Sequence, residues 1–208
     1  MKIFLVRHGR SKLNGRPIHQ HKSVPLSQHG KEQVLKLAKK LSSLEIDLII
    51  SGKYPRVVNT SKIISKTIKK RILYTKLLDE WLQPSELEGK SYSDAISVSI
   101  GNECAKNINK VNWHYSDEEN VFDLKNRVQK LVRRLSIMKQ ESVVLVTHAG
   151  IINMFVALAV FGDDITGTEF ARFRRIFSPA NTGITEIELI GSTFKVRTFN
   201  DCSHLGKM

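Results

Sequence analysis

The sequence predicts an α/β fold of three layers, in which helices cover both faces of a mostly parallel central sheet. Short apolar runs alternate along the chain with segments of helical periodicity, and this alternation is typical of such domains. The chain has 208 residues, of which 41% are hydrophobic. This length suits a single domain, residues 1–208, with a small inserted cap.

The first part of the chain supplies three predicted strands and two predicted helices. Ser27 is placed to cap the first helix, and Pro55 suits the first turn of the second because proline has no N–H to donate there. In chain order the elements are a strand at 3–6, a helix bearing the apolar stripe Val34, Leu37, Ala38 and Leu41, a strand at 48–50, a helix over about 54–69 and a strand at 72–74.

The regular pattern loosens between about residues 81 and 120, where Ser, Asn and Gly are scattered. This interval is predicted to be the inserted cap, and its side chains are expected to select the substrate. Regularity then returns with an amphipathic helix from Val121, a strand at 143–146, a helix from Gly150 to about Phe161, and strands at 183–189 and 194–199 that form a hairpin through 190–193.

The formal net charge of +13, from 33 Lys and Arg against 20 Asp and Glu, indicates an anionic partner. The charge alone leaves nucleic acid, acidic lipid and phosphorylated small molecules open. Much of the charge lies at 31–40 and 62–71, where solvated helix faces are the simpler interpretation.

The longest apolar stretch, residues 151–161, is too short to cross a bilayer, and the N-terminus reaches Arg7 too early for a secretory signal. A cytoplasmic protein without membrane contact is therefore expected. Cys104 and Cys202 lie far apart in sequence, which favours two reduced thiols over a disulfide framework or a thiolate metal site.

Two predicted strands end in a histidine. His8 follows the run 3–6, and His148 follows the run 143–146. Ligands bind at the carboxyl ends of strands in open α/β sheets, so both imidazoles are expected in one crevice. Arg7 beside His8 suits phosphoryl transfer, because its guanidinium can clamp phosphate oxygens and disfavours protonation of the neighbouring imidazole.

These motifs resemble those of the histidine phosphatase superfamily, the phosphoglycerate mutase-like family. The family has Arg-His-Gly after the first strand and Thr-His-x-Gly after a later one, as at residues 7–9 and 147–150. Other segments agree in order with the family pattern, and they span nearly the whole chain: Asn14, residues 25–30, Ser51, Arg56, Thr60, residues 181–185 and residues 200–205.

The resemblance implies a phosphohistidine mechanism without metal or cofactor, acting on a small phosphorylated metabolite. His8 is the implied nucleophile, and the implied phosphate-binding residues are Arg7, Asn14, Arg56, His148 and Ala149. Phosphomonoester hydrolysis is the expected reaction, and a cofactor-dependent phosphoglycerate mutase is the alternative. A basic module that binds nucleic acid or a phosphorylated ligand is a more distant alternative. The oligomeric state stays open.

The general acid is the residue that the resemblance defines least. The family has a glutamate in the loop after its third strand, but the run 78–89 departs from the usual glycine and tryptophan pattern and spacing. Glu80 is predicted as the acid because it directly follows the strand, with Glu86 and Asp79 as alternatives.

Two weaker features allow other functions. Residues 171–177 alternate cations with aromatics, as a surface that binds single-stranded nucleic acid does. The same alternation fits a half-buried edge strand whose phenylalanines face inward, and this is the prediction. A nucleic-acid partner is therefore not expected. His19 and His21 lack the further ligands of a closed metal site, so a loop near the site mouth is predicted.

Overall fold

The computed structural model describes residues 1–191 and 193–206. Its strands are β1 (Lys2–Arg7), β2 (Leu48–Ser51), β3 (Ile72–Tyr74), β4 (Ser142–Thr147), β5 (Ile184–Ile190) and β6 (Thr193–Asp201). They form one sheet in the order β3-β2-β4-β1-β5-β6. The neighbours from β3 to β1 are parallel, whereas β5 runs antiparallel to β1 and β6 antiparallel to β5. The predicted mostly parallel sheet is confirmed.

Helices cover both faces of this sheet. They are α1 (Gln28–Leu41), α2 (Pro55–Ile68), α3 (Ala95–Lys106), α4 (Val121–Ser136), α5 (Ala149–Phe161) and α6 (Gly167–Ile176). Alternate β1 residues face opposite layers: Ile3 packs in the cluster with α4, α5 and α6, whereas Phe4 packs in the cluster with α1 and α2. The three-layer prediction is therefore confirmed.

The central strand pair fixes where the two histidines lie. β1 and β4 pair in parallel register, with Arg7 opposite Thr147. The ladder continues one step further, since the His8 backbone N–H donates to the Thr147 carbonyl at 3.0 Å. His8 and His148 therefore leave the same edge of the sheet side by side.

Residues 171–177 were predicted to be an edge strand, and this prediction is wrong: they belong to α6 and the residue after it. The helix begins with a capping box, in which the Thr166 and Glu169 side chains bond each other's backbone N–H groups. Phe170 and Phe173 lie three residues apart and are buried on the α5 side. The helical spacing is visible only in the longer segment that begins at Thr166, not in the segment that begins at Ala171.

The interval predicted as a cap, residues 81–120, is described completely and contributes no strand to the sheet. It contains a 3-10 turn at Ser85–Leu87 and α3. Only its first part approaches the carboxyl ends of the strands, through side chains between Trp81 and Tyr92. Of the interval expected to select the substrate, only the part from Trp81 to Tyr92 therefore lines the cleft.

The last two strands form the predicted hairpin. β5 and β6 pair antiparallel from Ile190 opposite Thr193 back toward Ile184, with irregular register near Glu186. Of the predicted connection 190–193, Gly191 adopts a positive φ of 61°, and Ser192 lies outside the described residues.

Within the described part of the chain, no helix combines the length and the apolar character that a membrane crossing needs. The two cysteines are free thiols, Cys104 on α3 and Cys202 after β6.

The loop after β1 packs closely on the start of α1. Ser27 caps this helix as predicted, because its Oγ accepts from the Gly30 N–H at 2.9 Å. Its backbone N–H and its hydroxyl both donate to the Arg10 carbonyl. A Cβ at Gly30 would lie 2.0 Å from that carbonyl oxygen, and a Cβ at Gly9 would lie 2.5 Å from the Gly30 carbonyl oxygen. Glycine at both positions lets the two backbones touch.

We expect Gly30→Ala to lower the free energy of unfolding by about 1–3 kcal/mol, because the added methyl group overlaps main-chain atoms that cannot rotate away. Urea unfolding followed by circular dichroism measures this change. Gly101→Ala is the matched control, since a Cβ there meets nothing within 4 Å. In the α3 interior it should stabilise by about 0.5–1 kcal/mol. Equal effects of the two substitutions would contradict the packing argument.

Candidate active site

A cleft of about 570 Å³ opens at the carboxyl ends of β1 and β4. The structure brings the predicted residues together there, since the lining includes Arg7, His8, Asn14, Arg56, Glu80 and Ala149. His148 is fully buried directly behind His8, with the two ring centroids 5.0 Å apart. All seven predicted residues therefore lie at or against one cleft.

His8 has a defined tautomer. Its Nδ1 lies 2.7 Å from the Gly9 carbonyl oxygen, which can only accept, so Nδ1 carries the proton. Its Nε2 accepts a hydrogen bond from Arg56 Nε at 3.3 Å, and a guanidinium has no lone pair to offer in return. The Nε2 lone pair therefore faces the guanidinium side of the cleft.

The environment of His8 keeps the ring neutral. Burial holds its pKa well below the ordinary value of 6.5, and the positive charges of Arg56 and Arg7 lower it further. The hydrogen bond to Gly9 acts in the opposite direction but does not outweigh them. A neutral imidazole with an available lone pair is the state that a nucleophile requires.

His148 presents the opposite tautomer. Its Nδ1 lies 3.4 Å from Arg56 Nη2, so Nδ1 accepts and Nε2 carries the proton. This Nε2 is buried and has no hydrogen-bond partner among the described residues. Burial also holds the pKa of His148 well below 6.5, assisted by His8 and Arg56. A buried donor without an acceptor at the back of the cleft suits an anionic ligand.

The two guanidiniums are anchored by backbone carbonyls. Arg7 Nη1 donates to the Pro179 carbonyl at 2.6 Å, and Arg56 Nη1 donates to the carbonyls of His21 and Lys22. Burial lowers the pKa of both arginines, while the Glu80 charge raises it. Arginine stays charged in proteins, so the cleft floor carries two fixed positive charges.

Glu80 is oriented by the main chain. Its Oε1 accepts from the backbone N–H groups of Gly150 at 3.1 Å and Trp81 at 3.0 Å. Its Oε2 lies 3.7 Å from His148 Nδ1 and is left facing the cleft groups.

The two alternatives to Glu80 are placed differently. The Asp79 carboxylate accepts from the Lys53 backbone N–H at 2.6 Å, whereas Glu86 interacts with Tyr115. Neither residue belongs to the cleft lining, which favours Glu80 among the three carboxylates.

Asn14 and Ala149 offer further donors. Asn14 uses Oδ1 to accept from the Ser11 N–H at 2.7 Å, which leaves its Nδ2 as a donor at the cleft. Ala149 is the first residue of α5, where backbone N–H groups lack intrahelical acceptors and attract anions.

Arg127 was not among the predicted site residues, but it holds the Glu80 segment in place. This α4 residue donates to the carbonyls of Leu77, Asp79 and Glu80 at 3.1, 2.7 and 3.3 Å. Its remaining N–H groups pair with the Glu119 carboxylate at 2.7 and 2.6 Å. The sequence signal for this role was limited to the position of Arg127 beside the apolar stripe of α4.

Three other residues support the histidines. The Asn181 amide donates to the His8 carbonyl at 2.9 Å, and Thr60 Oγ1 accepts from the Gly9 N–H at 3.2 Å. The Tyr54 ring packs edge-on against His148, 5.2 Å between centroids. Burial and the nearby Asp79 charge raise the pKa of Tyr54 to about 12, so it packs as a neutral phenol.

His19 and His21 lie near the mouth of the cleft. His19 packs on Tyr92 with ring centroids 4.7 Å apart, and His21 Nδ1 lies 3.7 Å from the Glu88 carboxylate. Among residues 1–191 and 193–206, no group of three or more His, Cys, Asp and Glu is arranged to hold a metal ion.

Comparisons with known proteins agree with this fold and define its family. Bacillus stearothermophilus YhfR has a similar solved structure, with a TM-score of 0.82, 22% identity and 98% coverage of both chains. The sequence model of the histidine phosphatase superfamily, branch 1, matches residues 3–202. The chain therefore belongs to the histidine phosphatase superfamily.

Two curated relatives match nearly the whole chain. A probable phosphatase of Schizosaccharomyces pombe is 29% identical over 211 residues, covering 99% of this chain and 95% of the relative. The probable phosphoglycerate mutase GpmB of Shigella dysenteriae is 27% identical over 207 residues, with the same coverage. Chain length does not separate this protein from the relative named as a mutase.

The buried histidines predict how stability depends on pH. Their folded pKa values lie well below 6.5, so as the pH falls through 6.5 the unfolded chain takes up protons that the folded chain refuses. The contribution of these two histidines to the free energy of unfolding is therefore constant above this range and falls below it, by up to about 1.4 kcal/mol per pH unit for each histidine.

Urea unfolding between pH 7.5 and 5.5 measures this slope. We expect His148→Gln to make the slope shallower, whatever its effect on stability at pH 7.5. His29→Gln is the control, because His29 is an exposed α1 residue remote from the cleft lining. A slope that is unchanged in the His148 variant would show that this histidine does not remain neutral in the fold.

Proposed function

We propose that this protein hydrolyses phosphomonoesters of small metabolites through a covalent phosphohistidine at His8. The observation that carries the proposal is the unprotonated His8 Nε2 beside the Arg56 guanidinium, in a cleft whose floor also holds Arg7 and His148. A nucleophilic lone pair and several cationic or neutral donors converging on one point match what a phosphoryl group requires.

In this proposal the phosphoryl oxygens bind to the donor groups that converge on the cleft. Arg56 exchanges its bond to His8 for a phosphate oxygen, which frees the Nε2 lone pair to attack. The buried N–H of His148, the Asn14 amide and the Ala149 backbone N–H complete the binding site. Arg7, held by Pro179, supplies the second guanidinium.

The first step transfers the phosphoryl group to the enzyme. His8 Nε2 forms a bond to phosphorus while the bond from phosphorus to the ester oxygen breaks, and Glu80 donates a proton to the departing alcohol. Because Glu80 Oε1 accepts two backbone N–H bonds, Oε2 is the oxygen that carries this proton.

The second step returns the enzyme to its starting state. Water attacks phosphorus, Glu80 now accepts the proton of that water, and the bond from phosphorus to Nε2 breaks to release inorganic phosphate. The charge that develops on the phosphoryl oxygens in both steps is stabilised by the arginines and the His148 donor. Removal of one such group is expected to cost on the order of 10²–10³ in rate.

A phosphoglycerate mutase is the second candidate, favoured by the match to GpmB. A mutase keeps the phosphohistidine and passes the phosphoryl group to another hydroxyl instead of water. Incubation with 3-phosphoglycerate and its bisphosphate cofactor separates the two reactions. Release of inorganic phosphate supports the hydrolase, whereas isomerisation without release supports the mutase.

We expect His8→Ala to abolish acid-labile phosphoenzyme, because alanine offers no lone pair to phosphorus. Rapid quenching of the reaction with a labelled phosphomonoester, followed by gel analysis at alkaline and acidic pH, measures the trapped phosphate. Turnover should fall by about 10³-fold or more. His29→Ala should keep the parent signal. An undiminished phosphoenzyme in the His8 variant would remove the nucleophile assignment.

We expect Glu80→Gln to slow the hydrolysis of esters with poor leaving groups selectively. The amide keeps an oxygen for the Gly150 N–H, but it cannot transfer a proton to the leaving oxygen. Single-turnover rates for alkyl phosphates should fall by about 10²–10⁴-fold. The rate for p-nitrophenyl phosphate, whose leaving group needs no proton, should fall much less. Glu86→Gln serves as the matched control outside the cleft. Equal slowing of both substrate types would assign the acid role elsewhere.

A further inference from the structure

Arg174 is a cation of the cleft that the proposed phosphoryl site does not use. It lies on α6 and lines the same cleft as His8 and Glu80. Its guanidinium carbon lies 4.9 Å from the centre of the Trp81 ring, within the range of a cation–π contact. The side chain is therefore held at the wall of the cleft.

Trp81 is itself a rigid support. Its indole N–H donates to the Glu119 carbonyl at 2.7 Å, and its ring packs edge-on against Phe170, 5.7 Å between centroids. Because Trp81 directly follows Glu80, the guanidinium of Arg174 is placed on the side of the cleft where the acid meets the leaving oxygen.

Within the described part of the chain, the charge of Arg174 has no close carboxylate partner. Across residues 1–191 and 193–206, no carboxylate oxygen lies within 4.0 Å of its nitrogens. Partial loss of water around the guanidinium lowers the pKa of Arg174, and the more distant Glu80 charge opposes this shift without outweighing it. Arg174 is thus an exposed guanidinium that lines the cleft and has no carboxylate partner among the described residues, and such a group is suited to bind an anion.

We propose that Arg174 binds a second anionic group on the leaving alcohol, so that the preferred substrates are phosphomonoesters whose alcohol carries a carboxylate or another phosphate. The inference rests on the proposed function, because it assumes that the first phosphoryl group occupies the site formed by His8 and the two floor arginines. Arg174 then determines specificity and takes no part in bond breaking.

The test uses two compounds that differ in one group. 3-Phosphoglycerate and glycerol 3-phosphate share the phosphoryl ester, but the first ends in a carboxylate and the second in a hydroxymethyl group. Each is added to the purified protein as a competitor of p-nitrophenyl phosphate hydrolysis, and the ratio of the two inhibition constants is measured. We expect the parent protein to favour the carboxylate compound by about 10- to 100-fold, the range for a hydrogen bond to a charged group.

Variants assign this preference to one side chain. Arg174→Gln should bring the ratio close to one, and Arg174→Lys should restore part of it because the charge returns without the planar donor pair. Arg175→Gln, on the same helix but outside the cleft lining, should keep the parent ratio. Lys22→Gln tests a loop cation that also lines the cleft, and this variant should keep most of the preference.

Three results would overturn the inference: a parent ratio near one, a ratio that survives in Arg174→Gln, or a preference lost only in Lys22→Gln. In each case hydrolysis of p-nitrophenyl phosphate and the His8 phosphoenzyme persist, so the proposed function stands. Absence of both hydrolysis and phosphoenzyme would instead remove the proposed function, and the specificity inference with it.

Discussion

The parallel pairing of β1 with β4 is the constraint on which the site depends. Arg7 and Thr147 face each other across this pair, so the next residue of each strand is a histidine at the same edge of the sheet. A shift of the register by one residue would turn one side chain to the opposite face of the sheet. The apolar residues of both strands, which pack against different helix layers, hold the register in place.

The electrostatics of the cleft follow from what this pairing brings together. Two guanidiniums and two imidazoles share a small buried volume, so protonation of either ring is unfavourable. The arginines keep their charge because main-chain carbonyls and the nearby Glu80 compensate for the water they have lost. The cleft therefore remains cationic while its histidines stay neutral. In each ring one nitrogen carries the proton and the other offers a lone pair.

The strands, most helix starts and the principal cleft residues could be predicted because their signals are local. A histidine after a buried strand, or Ser27 before a helix, is visible in a few adjacent residues. Arg127 and Arg174 could not be assigned roles, since their partners lie on segments distant in sequence. The edge strand predicted at 171–177 was wrong for a different reason. The helix begins at the capping box of Thr166 and Glu169, which lies before this segment, so residues 171–177 alone do not show the helical spacing.

The clamp formed by Arg127 bonds to main-chain oxygens and not to side chains of the loop that it holds. Every residue type supplies such an oxygen, so the loop can change its sequence while the carboxylate of Glu80 keeps its position. The backbone at Glu80 is therefore held in place although residues 78–89 depart from the pattern usual in the superfamily. One arginine on a neighbouring helix thus makes the position of this backbone independent of the side chains at residues 77 and 79.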